Sequence, residues 1–313
     1  MKLRSGKIAI LSVLLLLVSM LQVFAADGGT MWRLDAPAAD GLPRNLRLSS
    51  DAAGLRTEEN QNIWEGIDWL RISGSGQPAE AELPVLYARI RQETAAPVYI
   101  LDLRQESHGF FGGSAVSWYG KNNWSNRGMN AKQAEADDIL QLDKALNQEI
   151  EAVPLGNEDK ASFQAVSGIV KHAVTEREAA EKAGFRYVRI AATDQVWPEP
   201  QAVDEFLEFY KSLPAEPVWV HFHCQAGHGR TTIFMAMYDM LRNPNAALET
   251  IAARQKLIGG TDVLAAADES TGSWRARLTN EKARNMRLFY RYVQEQQPAG
   301  FAVSWTEWLQ KNQ

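Results

Sequence analysis

The sequence has 313 residues, 45% hydrophobic and 23% charged, so it can bury a full core, and its formal net charge is −5. That balance excludes a broad nucleic-acid-binding surface, and any anionic ligand must be met by a local basic pocket in an acidic protein. The single cysteine, Cys224, excludes an intrachain disulfide, leaving that residue as either core packing or a chemical tool.

Lys2, Arg4 and Lys7 precede the apolar run "IAILSVLLLLVSMLQVF", and small residues follow at Ala25 and Ala26. This order reads as a secretory signal peptide over 1–25, with cleavage after Ala25; the run is short for a membrane span. It predicts an exported protein, periplasmic or secreted, with no stable membrane anchor after cleavage. The remaining 26–313 segment carries 30 basic and 38 acidic residues, a net charge of about −8.

Along the chain, "VYILDL" (98 to 103) predicts a buried strand. "GFFGGSAVSWYGKNNWSNRG" (109 to 128) is rich in Gly, Ser, Asn and Trp and reads as short strands and turns. With the N-terminal Trp- and Arg-containing segment it predicts a small β-rich lobe drawn from about 26–60 and 105–165. "TEREAAEKAG" predicts a helix, opened by a capping box from Thr175 to Glu178 and stopped at Gly184. "FRYVRI" (185 to 190) predicts a second strand, "AVDEFLEFYKSL" a helix ending at Pro214, and "PVWVHFH" (217 to 223) a third strand. "TTIFMAMYDMLRNP" predicts a helix apolar on most faces that stops before Pro244. This alternation argues for an α/β fold, a central sheet flanked by helices, with the β-rich lobe as an accessory.

The densest chemistry lies in "WVHFHCQAGHGRTT" (219 to 232). Cys224 ends a strand and Thr231 begins a helix. Gln225, Ala226, Gly227, His228 and Gly229 lie between Cys224 and Arg230, and the two glycines let backbone N–H groups turn inward. Such a loop at a helix N-terminus makes a ring of donors sized for a phosphate, which Arg230 can close with a two-pronged contact. The same donors favour a thiolate, and a thiolate beneath a phosphate is a phosphoryl-transfer nucleophile. Thr231 is placed to hydrogen-bond the sulfur. His223 is expected to support the loop and His221 to sit in the core. The three histidines and Cys224 lack a Cys-x2-Cys or His-Glu-x-x-His partner pattern, so no metal site is predicted. Loss of an alkoxide from a phosphate monoester needs a general acid on another loop, and Asp194 in "AATDQVWPEP" is the candidate. By itself, without the cysteine loop, Asp194 reads as a turn cap.

"HCQAGHGRTT", "ATDQVWP", "LDLRQESHG", "SWYG" and "FYRYVQ" together resemble the protein-tyrosine-phosphatase-like cysteine phytases, bacterial enzymes that remove phosphates from myo-inositol hexakisphosphate. The similarity runs from about Met31 to the C-terminus. The resemblance implies Cys224 as nucleophile, Arg230 as phosphate-binding arginine, Asp194 as general acid, no cofactor and a polyanionic small-molecule substrate. It also implies a basic substrate pocket using Arg33, Arg275 and Lys282, with Lys160 as a further contact. Taken alone, Arg275 and Lys282 read as solvated helix charges, and Asp102 and Arg104 as a buried pair supporting the cysteine loop.

The chain departs from the family pattern at several pocket positions: Asn123 for an aspartate, Gln195 for a histidine, Thr279 for a tyrosine, and His228 for a small apolar residue. A histidine in the loop can add phosphate affinity at acidic pH. Two alternatives stay open at this level, a protein-tyrosine or phosphoinositide phosphatase and a non-catalytic polyphosphate-binding module. Oligomeric state is not specified by these patterns.

Overall fold

The computed structural model describes residues 29–155 and 162–312, so the predicted signal peptide and Lys160 lie outside the described residues. The strands are β1 (Met31–Ala36), β2 (Arg47–Leu48), β3 (Ile72–Ser75), β4 (Val98–Asp102), β5 (His108–Phe111), β6 (Ser114–Tyr119), β7 (Glu149–Ala152), β8 (Val166–Ile169), β9 (Ala173–Val174), β10 (Arg186–Arg189) and β11 (Trp219–His223). The helices are α1 (Glu82–Arg91), α2 (Ala131–Ala145), α3 (Glu176–Ala183), α4 (Pro200–Ser212), α5 (Gly229–Arg242), α6 (Leu248–Leu257), α7 (Trp274–Gln296) and α8 (Trp305–Asn312).

Five strands form the central sheet in the order β10-β4-β11-β3-β2, parallel except for the antiparallel edge strand β2. All five residues of β11, the middle strand, are buried, because helices cover both faces of a parallel sheet. In register, His223 stands opposite Ser75 on one side and Asp102 on the other, and Asp102 stands opposite Arg189. The carboxyl ends of four parallel strands therefore converge, which is where open α/β sheets place their ligands.

The helices follow their local signals. Thr175 caps α3 by accepting from the Glu178 N–H at 3.3 Å, Glu178 reaches back to Thr175, and Gly184 ends the helix at φ +107°. In α4 the buried residues Ala202, Val203, Phe206, Leu207 and Phe209 repeat at helical spacing. Helix α5 is buried over nearly its whole length and lies against β3. Gly74 permits this approach: a Cβ there would stand 2.5 Å from Met235 Sδ and 2.7 Å from Thr231 Cγ2. Among the described residues no helix is long and apolar enough to cross a membrane.

The accessory lobe differs in extent from the sequence expectation. Its antiparallel sheet, ordered β1-β6-β5-β9, draws on residues 31–36, 108–119 and 173–174, with the small β7-β8 ribbon beside it. Residues 47–48 join the central sheet instead, and 49–64 form 3-10 turns that lead back into β3. Strand β2 is only two residues long, too short to show a period of its own, so its sheet is chosen by tertiary pairing.

Candidate active site

Four consecutive carbonyls of the cysteine loop are tied to groups outside it. Gln225 O accepts from Arg44 Nη2 and, at 3.1 Å, from the Gln77 N–H. Ala226 O accepts from Asn45 Nδ2 at 2.8 Å, and Gly227 O from Arg47 Nη1 at 2.7 Å. His228 O accepts from the Thr232 N–H at 2.9 Å and its hydroxyl at 2.6 Å. In a trans peptide the N–H points opposite its carbonyl. The N–H groups of Ala226, Gly227, His228 and Gly229 are thus turned toward the cavity lined by Cys224 and Arg230. Gly227 makes the tightest turn, at φ +81°, where a Cβ would lie 2.3 Å from the Gly76 N. Only glycine fits that position.

Cys224 is 3% exposed at the floor of this cavity, whose volume is about 350 Å³. Arg230, the first buried residue of α5, grips Glu106 with both prongs, at 2.7 and 2.9 Å, and donates to Ala192 O at 3.1 Å. Its Nη2 also stands 3.3 Å from Asp194 Oδ1. Burial alone would lower its pKa, but Asp194, Glu106 and the Cys224 sulfur outweigh burial and hold it above the ordinary arginine value.

Asp194 follows β10 on a loop stiffened by Trp197-Pro198. Its carboxyl is 27% exposed, accepts from the Gln195 N–H at 3.0 Å and from Asn123 Nδ2 at 3.0 Å, and faces the cavity. The strand ends and α5 therefore bring Cys224, Arg230 and Asp194 to one cavity, across 36 residues of sequence from Asp194 to Arg230.

The basic residues meet there as well. Arg275 and Lys282 stand seven residues apart on one face of α7 and both line the cavity. Burial pushes the Lys282 ammonium down from its usual pKa, opposed by the Asp194 charge. Arg33, 5% exposed, lies over the Tyr119 ring at 4.9 Å and donates to Asp35 at 2.8 Å, while its Nη2 has no hydrogen-bond partner among the described residues. Gln195, at φ +69°, and Thr279 also line the cavity.

Two local expectations, for Arg104 and Thr231, are revised, and that for His221 holds. Arg104 does not pair its guanidinium with Asp102; it bonds Asp35 at 2.8 Å and Glu106 at 3.0 Å, and only its backbone N–H reaches Asp102. Strand β4 ends at Asp102, so the period of two that would set 102 and 104 on one face does not extend to Arg104. Thr231 is fully buried and its hydroxyl makes no hydrogen bond among the described residues, so no bond from it to the sulfur is formed. Its methyl is turned onto Gly74, which fixes the side chain under the helix. His221 lies in the core between Ser73 and Ser75, at 2.9 and 3.1 Å.

A family model for protein-tyrosine-phosphatase-like phytases, described by the words inositol hexakisphosphate, matches residues 101–242. The tandemly repeated phytase of this type from Mitsuokella multacida is 40% identical, with a TM-score of 0.81, and the match covers 89% of this chain and 48% of that one. The myo-inositol phosphatase from the same organism, solved with myo-inositol-(1,3,4,5)-tetrakisphosphate, is 39% identical over the same shares, with a TM-score of 0.80. This chain thus spans about half the length of the Mitsuokella proteins. A phytase of this type from Bdellovibrio bacteriovorus is 30% identical, with a TM-score of 0.68, and is matched over 94% of its length and 89% of this chain. The chain belongs to the protein-tyrosine-phosphatase-like phytase family.

Within this phytase-family site, the residues that hold the cysteine loop are largely ones that local sequence patterns do not mark. Arg44, Asn45 and Arg47 stand some 180 residues before the carbonyls they tie. Glu106 is fully buried and its pKa falls well below the usual carboxylate range. Burial pushes the other way, and the guanidinium charges of Arg230 and Arg104 overcome it. The motif "LDLRQESHG" contains Glu106, but nothing in its local pattern singles out that carboxylate over Asp102.

Behind the loop, Glu176 at the start of α3 lies 2.9 Å from His223 Nε2 and accepts from His108 Nε2 at 2.9 Å. His108 Nε2 also stands 3.2 Å from Asp102. Asp102, His108 and Glu176 are close enough to hold a metal ion, but Asp102 also faces Arg189 at 3.4 Å and Glu176 faces His223 at 2.9 Å. Burial disfavours a charged His108, but the Asp102 carboxylate prevails and its pKa rises to about 10, so the ring is a cation that donates from Nδ1 to Glu106 O at 2.8 Å and from Nε2 to Glu176, with Asp102 as its ion-pair partner. Because the folded pKa is raised, His108 contributes stability that is full below its unfolded value of about 6.5 and declines toward pH 10. Urea midpoints should fall between pH about 7 and 10 in the native chain, with a shallower fall in His108→Gln; equal slopes would refute the assignment.

Proposed function

We propose that this chain is a cysteine-dependent phosphatase that removes phosphates stepwise from myo-inositol hexakisphosphate through a phosphocysteine intermediate. One observation carries this reading: the four outward-tied carbonyls aim their amides into a cavity that also holds Cys224, Arg230 and Asp194. A phosphoryl group has three equatorial oxygens, and this donor ring with the arginine meets them where charge develops. Cys224 Sγ attacks phosphorus as the inositol oxygen departs, and Asp194 protonates that oxygen. Asp194, now ionised, then takes a proton from the water that attacks the phosphocysteine, releasing inorganic phosphate and restoring the thiolate.

Support for an inositol polyphosphate comes from the ring of cations around the cavity, Arg33, Arg275 and Lys282, which suits phosphates beyond the one being cleaved. The inositol tetrakisphosphate bound by the Mitsuokella relative points the same way. Export to the periplasm or beyond, by the N-terminal signal pattern, is part of the same proposal.

The test is chromatographic analysis of the products from inositol hexakisphosphate in the presence of a chelator, with a phosphotyrosine peptide in parallel. Stepwise lower inositol phosphates, formed undiminished with the chelator, are expected; faster release from the peptide would favour a tyrosine phosphatase instead. Asp194→Asn should lose about 10²- to 10⁴-fold on the inositol phosphate and far less on p-nitrophenyl phosphate, whose leaving group departs unprotonated. Equal losses on both substrates would remove Asp194 from its role.

A further inference from the structure

We infer that the turn Asn122–Trp124 is a positioning clamp for Asp194, with Asn123 coupling that carboxyl to Arg230 through Glu106. The inference rests on the proposed role of Asp194 as general acid. Three consecutive residues of the accessory lobe grip the acid loop. Asn122 O accepts from Gln195 Nε2 at 3.0 Å, Asn123 Nδ2 donates to Asp194 Oδ2 at 3.0 Å, and Trp124 Nε1 donates to the Asp194 carbonyl at 2.9 Å.

The backbone explains how neighbours in sequence can all face one loop. Asn122 and Asn123 have φ of 59° and 67°, the left-handed region, which asparagine enters more readily than most residues. The turn is closed by the Asn123 N–H on Gly120 O at 2.8 Å. The outer face of the clamp is braced too: the Trp124 ring stands edge-on to Trp274 of α7 at 6.2 Å, and Arg127 covers it at 4.4 Å.

Asn123 is 4% exposed and its amide nitrogen is used twice, on Asp194 and, at 2.8 Å, on Glu106 Oε1. Glu106 in turn holds both prongs of Arg230. One amide therefore braces, beside the direct 3.3 Å contact of Arg230 Nη2 with Asp194 Oδ1, the spacing between the proton donor and the cation that grips the phosphate. A shift of about 1 Å between such groups costs on the order of 10²-fold in rate.

The charged or titratable groups facing Asp194 across the cavity are Arg33, Arg230, Arg275, Lys282, His228 and Cys224, with Glu106 behind Asn123. Asn123→Asp would replace the donor with a second carboxyl, and the two acids would then retain a shared proton to higher pH.

The experiment compares Asn123→Ala, Asn123→Asp, Trp124→Phe and Asp194→Asn with the native chain, on inositol hexakisphosphate and p-nitrophenyl phosphate across pH. Asn123→Ala should lose about 10- to 100-fold in kcat on the inositol phosphate and under about 3-fold on the aryl phosphate. Trp124→Phe keeps an aromatic ring but removes the indole N–H and part of the surface packed on Trp274 and Arg127, so it should show the same split at smaller size even where Asn123→Ala does not fold. Asn123→Asp should move the basic limb of the inositol hexakisphosphate profile upward by about one pH unit. Equal losses on both substrates, with an unmoved limb, would make the turn merely structural and overturn the clamp. An Asp194→Asn variant that splits the substrates while the Asn123 and Trp124 variants do not would overturn the clamp alone. Failure of Asp194→Asn to split them would overturn the acid assignment itself.

Discussion

Cys224→Ser should lose at least about 10⁴-fold in turnover of inositol hexakisphosphate and still bind it. The serine hydroxyl, protonated at neutral pH, is a far weaker nucleophile than a thiolate. The binding groups lie elsewhere. The loop amides are aimed by Arg44, Asn45, Arg47 and Thr232, and Arg230 is held by Glu106, none of which contacts the substituted atom by hydrogen bond. Calorimetric titration of Cys224→Ser with inositol hexakisphosphate should therefore give an affinity within about 3-fold of the native Michaelis constant. Phosphate release that survived the substitution would contradict the covalent route.

The second large effect is expected at Glu106. Its carboxylate faces Arg230, Arg104 and, at 4.0 Å, Arg33, with every partner almost fully buried. Glu106→Gln keeps the shape and removes the charge, leaving buried guanidinium groups short of an anion. Breaking one side of such a pair costs about 3 to 5 kcal/mol in stability. Arg230 then lacks the fork that aims it at the phosphate, and kcat should fall at least about 10²-fold on inositol and aryl phosphates alike. That common loss separates Glu106 from the leaving-group selectivity expected at Asn123. Because the folded pKa of Glu106 is depressed, its stabilisation is present above the unfolded carboxylate value of about 4.3 and is lost as pH falls toward the folded value. The difference in urea stability between native and variant chains should accordingly narrow on acidification below about pH 4. A difference that stayed constant would mean packing, rather than charge, is what the substitution removes.

Much of the cysteine loop is legible in one dimension because it is built locally. A strand, a glycine-bearing loop and a helix N-terminus are consecutive in sequence, so Cys224, Gly227 and Arg230 declare their geometry by spacing alone. The same holds for α3, whose cap and stop are encoded at Thr175, Glu178 and Gly184. The Asp194 loop shows itself through its position after a strand and before Trp197-Pro198.

What only the tertiary structure decided is which distant side chains hold these parts still. Arg44, Asn45 and Arg47 meet the cysteine loop across some 180 residues, because the two-residue strand β2 joins the sheet edge beside β3. Glu106 rather than Asp102 takes Arg230, and Asn123 reaches Asp194 across 71 residues, because the accessory lobe folds over the strand ends. Ion pairs and hydrogen bonds of this kind leave no period in the sequence. Their partners are chosen by topology, and a charged residue bound for the core looks, in its local context, like any other polar residue at a turn.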